Sequence, residues 1–223
     1  MEIITAKSAG FCFGVNRAIE ACYNEIEKGG RIVTYGPLIH NKNVNKDLEN
    51  KGVKSVDTLD GCEGATVIIR SHGVGKAVYD ELERRNIHYV DGTCPFVKKI
   101  HNIVRKKSDE GYEVIIIGDG KHPEVIGING WCDNSAITVD NVDDAQKLIL
   151  DDEKKYAVVV QTTFRENKFY DILKILKEKS EKITEENTIC SATEERQTEA
   201  VKISQNVDKM LVIGDKGSSN TQK

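Results

Sequence analysis

CFGVNRAIEACYNEIEKGGRIVTYGPLIH, residues 12–40, contains the pattern that decides the fold. A cysteine precedes an amphipathic helical stretch, a Gly-Gly pair follows it, and the β-branched run Ile32–Tyr35 then leads to the polar residue His40. The same order of cysteine, helix, strand and polar motif recurs after Cys94 and after Cys190. A helix followed by a β-branched run is typical of βα units in α/β proteins.

The spacing within these three stretches is constant. The interval from the cysteine to the first residue of the polar motif is 28 residues each time: Cys12 to His40, Cys94 to His122 and Cys190 to Ser218. Equal intervals with the same order of elements indicate three related units. We assign residues 14–95 to the first α/β unit, 96–190 to the second, and 1–13 with 191–223 to the third.

Hydrophobic periodicity predicts the elements of these units. Strands are predicted at Met1–Ile4, Ile32–Tyr35, Thr66–Arg70, Glu113–Ile117, Ile137–Val139, Tyr156–Val160 and Lys209–Ile213. Helices are predicted near Asn16–Lys28, Asn43–Lys51, Lys76–Asn86, Val97–Glu110, Val142–Leu148, Glu166–Lys179 and Glu194–Gln205. The alternation predicts an α/β fold with mainly parallel sheets, in which three pseudo-repeated units form a trefoil-like arrangement around a central site.

The third unit is expected to be incomplete. A second strand-end motif at His72 follows the first cysteine by 60 residues, and one at Thr162 follows the second cysteine by 68. The matching motif of the third unit would fall at about residue 250 or beyond. We therefore expect the 223-residue chain to be a fragment of a longer protein.

The composition excludes several classes of protein. Hydrophobic residues make up 39% and charged residues 30% of the chain, as in ordinary globular proteins. The net charge of −4 gives no basic surface for nucleic acid. No apolar run approaches the roughly 18 to 20 residues that span a bilayer. The N-terminus lacks the layout of a signal peptide, so we expect a cytoplasmic protein whose six cysteines stay reduced.

Cys12, Cys94 and Cys190 each directly precede a predicted helix. The unpaired N–H groups and the dipole at a helix N-terminus favour the thiolate, which is the form that binds metals. Three thiolates would leave one iron of a cubane cluster without a cysteine ligand, able to act as a Lewis acid. A zinc site with three thiolates and a water is the alternative, although structural zinc sites commonly use closely spaced cysteine pairs. The remaining cysteines break the repeat and are predicted to be structural: Cys22, Cys62 and Cys132.

Three of the five histidines, His40, His72 and His122, lie in strand-end motifs, whereas His88 and His101 do not. Ligands of open α/β sheets bind beyond the carboxyl ends of the strands, so converging units would gather these imidazoles into one pocket. Hydroxyl and amide groups accompany them at other strand ends: Thr162, Ser218, Ser219 and Asn220. Such donors suit a phosphate or diphosphate, while the chain has neither a P-loop nor a dinucleotide-binding fingerprint.

Glu124, in the motif Lys-His-Pro-Glu, is the carboxylate beside a candidate functional histidine. We predict that it is the general acid and that Thr162 helps to hold or relay a proton. A structural role in the first turn of a helix beginning at Pro123 is compatible with this chemistry.

Taken together, the motifs resemble those of the 4-hydroxy-3-methylbut-2-enyl diphosphate reductase family. The resemblance covers essentially the whole chain in order: Ala-Gly-Phe-Cys12-Phe-Gly-Val, Ile-His40-Asn41, Ser-His72-Gly-Val, Thr-Cys94-Pro, Gly-Lys-His122-Pro-Glu124-Val, Gln-Thr162-Thr163, Cys190-Ser-Ala-Thr and Gly-Ser-Ser-Asn220. One departure is that the family's last diphosphate-binding serine would lie beyond residue 223.

The resemblance implies a trilobed fold around one [4Fe-4S] cluster held by Cys12, Cys94 and Cys190. It implies reduction of an allylic diphosphate to isopentenyl and dimethylallyl diphosphates, with Glu124 as proton donor aided by Thr162 and electrons from a ferredoxin- or flavodoxin-like protein. The residues implied to contact the substrate are His40, His72, His122, Thr162, Ser218, Ser219 and Asn220. Two other functions stay open: a zinc hydrolase with three thiolates, and a non-enzymatic cluster or redox-sensing protein.

Overall fold

Two α/β units, each opened by a long helix, make up most of the protein. The computed structural model describes residues 2–222. The first unit comprises α1 (Phe13–Lys28), β1 (Ile32–Tyr35), α2 (Lys42–Asn50), β2 (Lys54–Val56), β3 (Thr66–Ile69), α3 (Lys76–Arg84) and β4 (Tyr89–Asp91). The second comprises α4 (Pro95–Asp109), β5 (Glu113–Ile117), α5 (Pro123–Asn129), β6 (Ile137–Val139), α6 (Val142–Lys147), β7 (Tyr156–Val160), α7 (Glu166–Lys179) and β8 (Ile183–Glu185). Helices α8 (Ser191–Ser204) and α9 (Ser219–Gln222) follow.

The two sheets have the same topology. The strand orders are β2-β1-β3-β4 and β6-β5-β7-β8, and every pairing is parallel. Helices cover both faces, so the central strands are buried along most of their length, as Ile115–Ile117 shows. The predicted α/β fold with parallel sheets is therefore confirmed. Each sheet lies within one of the two units assigned from the sequence. The boundaries of these units, at 14–95 and 96–190, stay a prediction.

Two predicted strands are not formed. Neither residues 2–4 nor Lys209–Ile213 is a strand in the described part of the chain, and Met1 lies outside it. Ile3, Leu211 and Ile213 are exposed. A β-branched run becomes a strand only beside a partner that accepts and donates its ladder hydrogen bonds, and residues 2–222 place no strand beside either segment.

The residues assigned to the third unit include the N-terminal segment and α8, which are joined by hydrogen bonds. The backbone N–H groups of Lys7 and Ser8 donate to the Glu199 carboxylate at 2.7 and 2.8 Å. Arg196, also on α8, donates to the Gly10 carbonyl.

Among the described helices, none is both long and apolar enough to cross a membrane.

The first and second units meet through backbone contact between glycines. The Lys76 N–H donates to the Gly130 carbonyl at 3.3 Å. A Cβ atom on Gly130 would lie 2.5 Å from the Cα of Gly75, so this position leaves no room for a side chain. This contact joins the loop after β3 to the end of α5, and both segments carry predicted site residues.

Replacing Gly130 with alanine should lower the free energy of unfolding by about 2 kcal/mol, because its methyl group would overlap the Gly75 backbone. The φ of Gly130 is −64°, so the substitution introduces no backbone strain. Gly127→Ala is the matched control, since its methyl group would make ordinary contact with the Gly73 carbonyl group at 3.4 Å. Urea denaturation compares the two variants, and equal stabilities would contradict the tight contact at Gly130.

His101 on α4 packs at the same junction. It is 1% exposed, and its ring stacks on Trp131 with a centroid distance of 4.9 Å. A Cβ atom on Gly73 would lie 2.6 Å from its Cε1 atom, and Trp131 donates to the Val74 carbonyl. Burial lowers the pKa of His101 to about 4, so the ring is neutral near neutral pH.

This burial predicts acid sensitivity of the fold. The pKa of His101 is about 4 in the folded protein and about 6.5 in an unfolded chain, so the unfolded state binds an extra proton between these values. Its contribution to stability is present above pH 6.5 and is lost, by up to about 3 kcal/mol, as the pH falls towards 4. His101→Phe keeps an aromatic ring but cannot titrate, so its unfolding free energy should fall less steeply with acid. Parallel curves of unfolding free energy against pH would contradict this assignment.

Candidate active site

Each of the three repeat cysteines is the N-cap residue of a helix. Cys12 caps α1, Cys94 caps α4 and Cys190 caps α8, as the repeat predicted. All three are half-buried free thiols. Each of these residues therefore lies at a helix N-terminus, where the helix dipole favours negative charge.

The three cysteines also lie near one another. Burial raises the pKa of Cys94, hydrogen bonds from the backbone of Phe96 and Val97 lower it, and the charges of Cys12 and Cys190 raise it further. The first turn of α1 touches Cys94, because a Cβ atom on Gly14 would overlap its sulfur. Three thiols at adjoining helix N-termini form a donor set that fits a thiolate-ligated metal cluster.

The other three cysteines lie in the cores, as expected of structural residues. Cys22, Cys62 and Cys132 are buried and packed among apolar side chains. Burial raises the pKa of each thiol, to about 11 for Cys22, so these residues are held as neutral thiols.

The three motif histidines form one cluster at the strand ends. The ring centroids of His40 and His72 are 4.2 Å apart, and His122 lies 5.1 and 5.5 Å from them. His40 follows β1, His72 follows β3 and His122 follows β5, so the two sheets contribute jointly to the cluster. This is the convergence that the sequence motifs predicted.

Burial determines the charge of the histidine cluster. It lowers the pKa of His40 and takes that of His72 well below its usual value, and the nearby Arg70 guanidinium acts in the same direction on both. Asp215 partly opposes this effect at His40. Two of the three imidazoles are therefore neutral near neutral pH and can act as N–H donors.

The tautomer of His122 favours an anion over a metal ion. The ligand atoms of the three rings lie within 4.8 Å of one another, a spacing that could accommodate a cation. However, the Nδ1 atom of His122 accepts the Glu124 N–H at 3.1 Å as the N-cap of α5. A neutral ring with Nδ1 as acceptor carries its proton on Nε2, which makes that atom a donor and prevents it from binding a metal.

Glu124 and Thr162 form a buried pair. Glu124, in the first turn of α5, is 3% exposed. One carboxylate oxygen accepts the Thr162 N–H and the other accepts the Thr162 hydroxyl, both at 2.7 Å. Thr162 lies just beyond β7, so the predicted contact between the second unit's two strand-end motifs is present in the structure. The pair holds a carboxyl group in one fixed orientation.

The polar motif of the third unit, residues 217–220, lies between Cys190 and His40. Asn220 Oδ1 accepts the Thr193 hydroxyl at 3.5 Å, and that hydroxyl lies 3.1 Å from the sulfur of Cys190. A Cβ atom on Gly217 would lie 3.6 Å from Nδ1 of His40. The predicted residues Ser218 and Ser219 lie half-buried between these two contacts.

Three further residues around the site were not among the predicted site residues. Arg70 has its guanidinium against Gly36, where a Cβ atom would lie 2.5 Å from its terminal nitrogen. Asp215 accepts the Lys42 N–H at 3.1 Å, and Thr193 is fully buried beside Cys190. Arg70 adjoins a quoted motif, Thr193 lies within one and Asp215 lies two residues before one, and this position in the sequence was the available signal.

Comparisons with known proteins agree with this geometry. A family model described as LytB protein matches residues 3–223. The 4-hydroxy-3-methylbut-2-enyl diphosphate reductase of Clostridioides difficile is 48% identical, over 100% of this chain and 81% of the relative. The reductase of the same name from Thermoanaerobacter sp. (strain X514) is 50% identical, over 100% of this chain and 78% of the relative.

Solved structures give the same result. The E-1-hydroxy-2-methyl-but-2-enyl-4-diphosphate reductase from Plasmodium falciparum has a TM-score of 0.89 at 34% identity, covering 96% of this chain and 68% of that one. A structure titled as (E)-4-hydroxy-3-methyl-but-2-enyl diphosphate reductase, the terminal enzyme of the non-mevalonate pathway, has a TM-score of 0.78 at 37% identity, covering 99% and 79%. As its motifs predicted, the chain belongs to the LytB family of 4-hydroxy-3-methylbut-2-enyl diphosphate reductases.

Proposed function

We propose that this chain reduces (E)-4-hydroxy-3-methylbut-2-enyl diphosphate to isopentenyl and dimethylallyl diphosphates, the last step of the non-mevalonate pathway, in the cytoplasm. The observation that carries the proposal is the connection of cysteines to strand-end motifs. The Cys94 N–H donates to the Ser71 carbonyl beside His72, and the Cys190 N–H donates to the Thr162 carbonyl, at 2.9 and 3.0 Å. The three cysteines, the histidine cluster and the buried Glu124 carboxyl group therefore adjoin one another.

Cys12, Cys94 and Cys190 would hold one [4Fe-4S] cluster through three thiolates. When bound, such a cluster supplies electrons and, at the iron that lacks a cysteine ligand, Lewis acidity. Burial holds the pKa of Cys94 above its usual value, and the hydrogen bonds from the backbone of Phe96 and Val97 oppose this effect, in the direction that ligation as a thiolate requires. The electrons would come from a ferredoxin- or flavodoxin-like protein.

The substrate diphosphate would occupy the pocket formed by the three strand-end motifs. His40 and His72 are neutral when the pocket holds no anion, and a diphosphate would raise the pKa of both rings by its negative charge. Binding would therefore draw protons onto the histidines and strengthen their hydrogen bonds. The residues proposed to contact the substrate are His40, His72, His122, Thr162, Ser218, Ser219 and Asn220.

Glu124 would deliver the proton. The reaction consumes a pair of electrons and a pair of protons, breaks the allylic C–O bond and releases water, so an acid must be held near the carbon skeleton. The Thr162 hydroxyl and N–H fix the Glu124 carboxyl group from both oxygens, and Thr162 would keep it oriented during transfer. The pair is buried, which excludes bulk water from the proton donor.

The protein isolated without oxygen should be brown and should contain about four iron atoms per chain. Cys94→Ser should lose most of this iron, whereas Cys62→Ala, which changes a buried core cysteine, should retain it. Iron analysis and the visible absorption spectrum measure both. Colourless protein carrying stoichiometric zinc, even after reconstitution with iron and sulfide, would instead support a zinc hydrolase.

Glu124→Gln should lower kcat at least about a hundredfold while the iron content stays unchanged, because the amide cannot donate a carboxylic proton. Product formation is measured by chromatography with a chemical reductant, so that no protein partner is involved. Glu166→Gln is the control, since Glu166 also lies in the first turn of a helix but is exposed. Wild-type turnover in Glu124→Gln would mean that the proton comes from another group.

A further inference from the structure

Asp215 joins the third unit's polar motif, residues 217–220, to the first unit. One oxygen of its carboxylate accepts the Lys42 N–H at 3.1 Å, and the other accepts the Gly217 N–H at 2.8 Å. Its backbone carbonyl accepts the Ser218 N–H at 3.0 Å. Within residues 2–222, the bond to Lys42 is the one hydrogen bond between residues 205–222 and the first unit. A single residue therefore shapes the start of the motif and fastens it across a unit boundary.

The Lys42 N–H needs an acceptor from outside its own helix. Lys42 is the first residue of α2, and the first N–H groups of a helix have no acceptor within it. The N-cap residue Asn41 accepts the Val44 N–H at 3.0 Å, and Asp215 accepts that of Lys42. Hydrogen bonds from the Gly217 and Lys42 N–H groups lower the pKa of Asp215, so its carboxyl group is ionised near neutral pH. The helix dipole of α2 favours this negative charge.

The second unit contains the same turn without the connection. Asp119 and Asp215 each lie 25 residues after the repeat cysteine of their own unit. The Asp119 carboxylate likewise accepts the N–H two residues further on, that of Lys121 at 2.9 Å, and its carbonyl accepts the His122 N–H at 2.9 Å. In the described part of the chain, however, Asp119 is exposed and its carboxylate accepts no hydrogen bond from another unit. Asp215 therefore adds a contact between units to a turn that the repeat already provides.

The backbone of Gly217 lies between Asp215 and His40. A Cβ atom on Gly217 would lie 3.4 Å from Oδ1 of Asp215 and 3.6 Å from Nδ1 of His40. The titratable and charged groups that face His40 come from the ends of β3 and β5 and from the third unit: Arg70, His72, His122 and Asp215. Burial and the Arg70 charge lower the pKa of His40, whereas the Asp215 charge raises it. The carboxylate would therefore stabilise the His40 imidazolium that a bound diphosphate induces.

We propose that Asp215 is a positioning residue that holds residues 217–220 at the start of α2, so that the groups of this motif reach a diphosphate bound at His40. The inference rests on the proposed function, because the ligand is the diphosphate group of the proposed substrate. A carboxylate beside an anion site repels the anion, so its favourable contribution comes from the motif and the imidazolium that it holds in place. Variants that separate its position from its charge test this role.

The first variant, Lys42→Pro, removes the donor N–H and keeps the Asp215 charge. Proline is tolerated at the first position of a helix, and the extended backbone of Asn41 (φ −150°, ψ 109°) suits a residue before proline. Lys42→Ala is the matched control, since it removes the same exposed ammonium group and retains the N–H. In calorimetry on the iron-loaded protein, Lys42→Pro should bind inorganic pyrophosphate about fivefold more weakly than Lys42→Ala. Equal affinities would overturn the proposal.

The second variant, Asp215→Asn, removes the acceptor. The amide oxygen can still accept the Gly217 N–H and keep the turn, but the amide nitrogen cannot accept the Lys42 N–H. This variant should also bind pyrophosphate about fivefold more weakly, and combining it with Lys42→Pro should weaken binding little further, because both remove one hydrogen bond. Asp119→Asn is the control and should bind pyrophosphate at least as tightly as the unmodified protein. Fully additive effects of the two variants, or equal weakening by Asp119→Asn, would contradict the shared hydrogen bond.

The pH dependence of binding tests the effect of the carboxylate on His40. Protonated His40 favours the anion, and its proton is lost as the pH rises. Asp215→Asn removes the charge that raises the pKa of His40, so pyrophosphate binding should weaken at a lower pH than in Lys42→Pro, which keeps that charge. The titration of pyrophosphate itself is the same for both variants, so identical pH profiles would contradict the role at His40.

A separate measurement distinguishes failure of the proposed function from failure of this inference. If the unmodified protein binds no pyrophosphate, the diphosphate site of the proposed function is wrong. Amide hydrogen exchange of the peptide that contains Lys42, followed by mass spectrometry, then decides whether Asp215 fastens the motif. Exchange should be faster in Asp215→Asn than in Asp119→Asn, and equal rates would overturn the positioning role.

Discussion

Two equivalent hydrogen bonds hold a cysteine-capped helix to the end of a central strand, and the geometry of the site depends on them. The Cys94 N–H donates to Ser71, just beyond β3 of the first sheet, and the Cys190 N–H donates to Thr162, just beyond β7 of the second. In both cases the donor caps the helix that follows and the acceptor lies just beyond a central strand. Both partners are backbone groups, so the cysteine thiols and the Thr162 hydroxyl take no part in the connection.

The site brings together titratable groups whose burial and close proximity cost free energy. His40 and His72 are desolvated enough to lower the pKa of both, three thiols adjoin at Cys94, and the Glu124 carboxyl is buried. Such an arrangement costs stability and persists only where the surroundings are rigid. Here the rigidity comes from two parallel sheets whose central strands are largely buried. An anionic ligand among the histidines would offset part of the electrostatic cost.

The central strands could be predicted from the sequence, whereas of the four edge strands only β6 (Ile137–Val139) could. The bounds of β5 and β7 match the prediction because both are unbroken β-branched runs covered on both faces. The edge strands β2, β4 and β8 have three residues each and are largely exposed or half-buried, so they leave no hydrophobic pattern. Lys209–Ile213 has the pattern without a partner strand, which is why composition alone was misleading there.

The residues of the site and its surroundings also differ in this way. Some are identified by local sequence patterns, whereas the environment of others depends on how the elements pack. Equal spacing indicates the repeat and thereby identified Cys12, Cys94 and Cys190. The strand-end residues could be predicted because the strand ends of a parallel sheet lie at the same edge. No comparable signal exists for His101, whose surroundings are created when α4 packs against Gly73 and Trp131. A histidine at a strand end faces the opening where ligands bind, whereas one in mid-helix faces whatever the helix covers. The chemical role of each imidazole is therefore decided by the docking of the two sheets, and this docking depends on backbone contacts between glycines that carry no side-chain pattern.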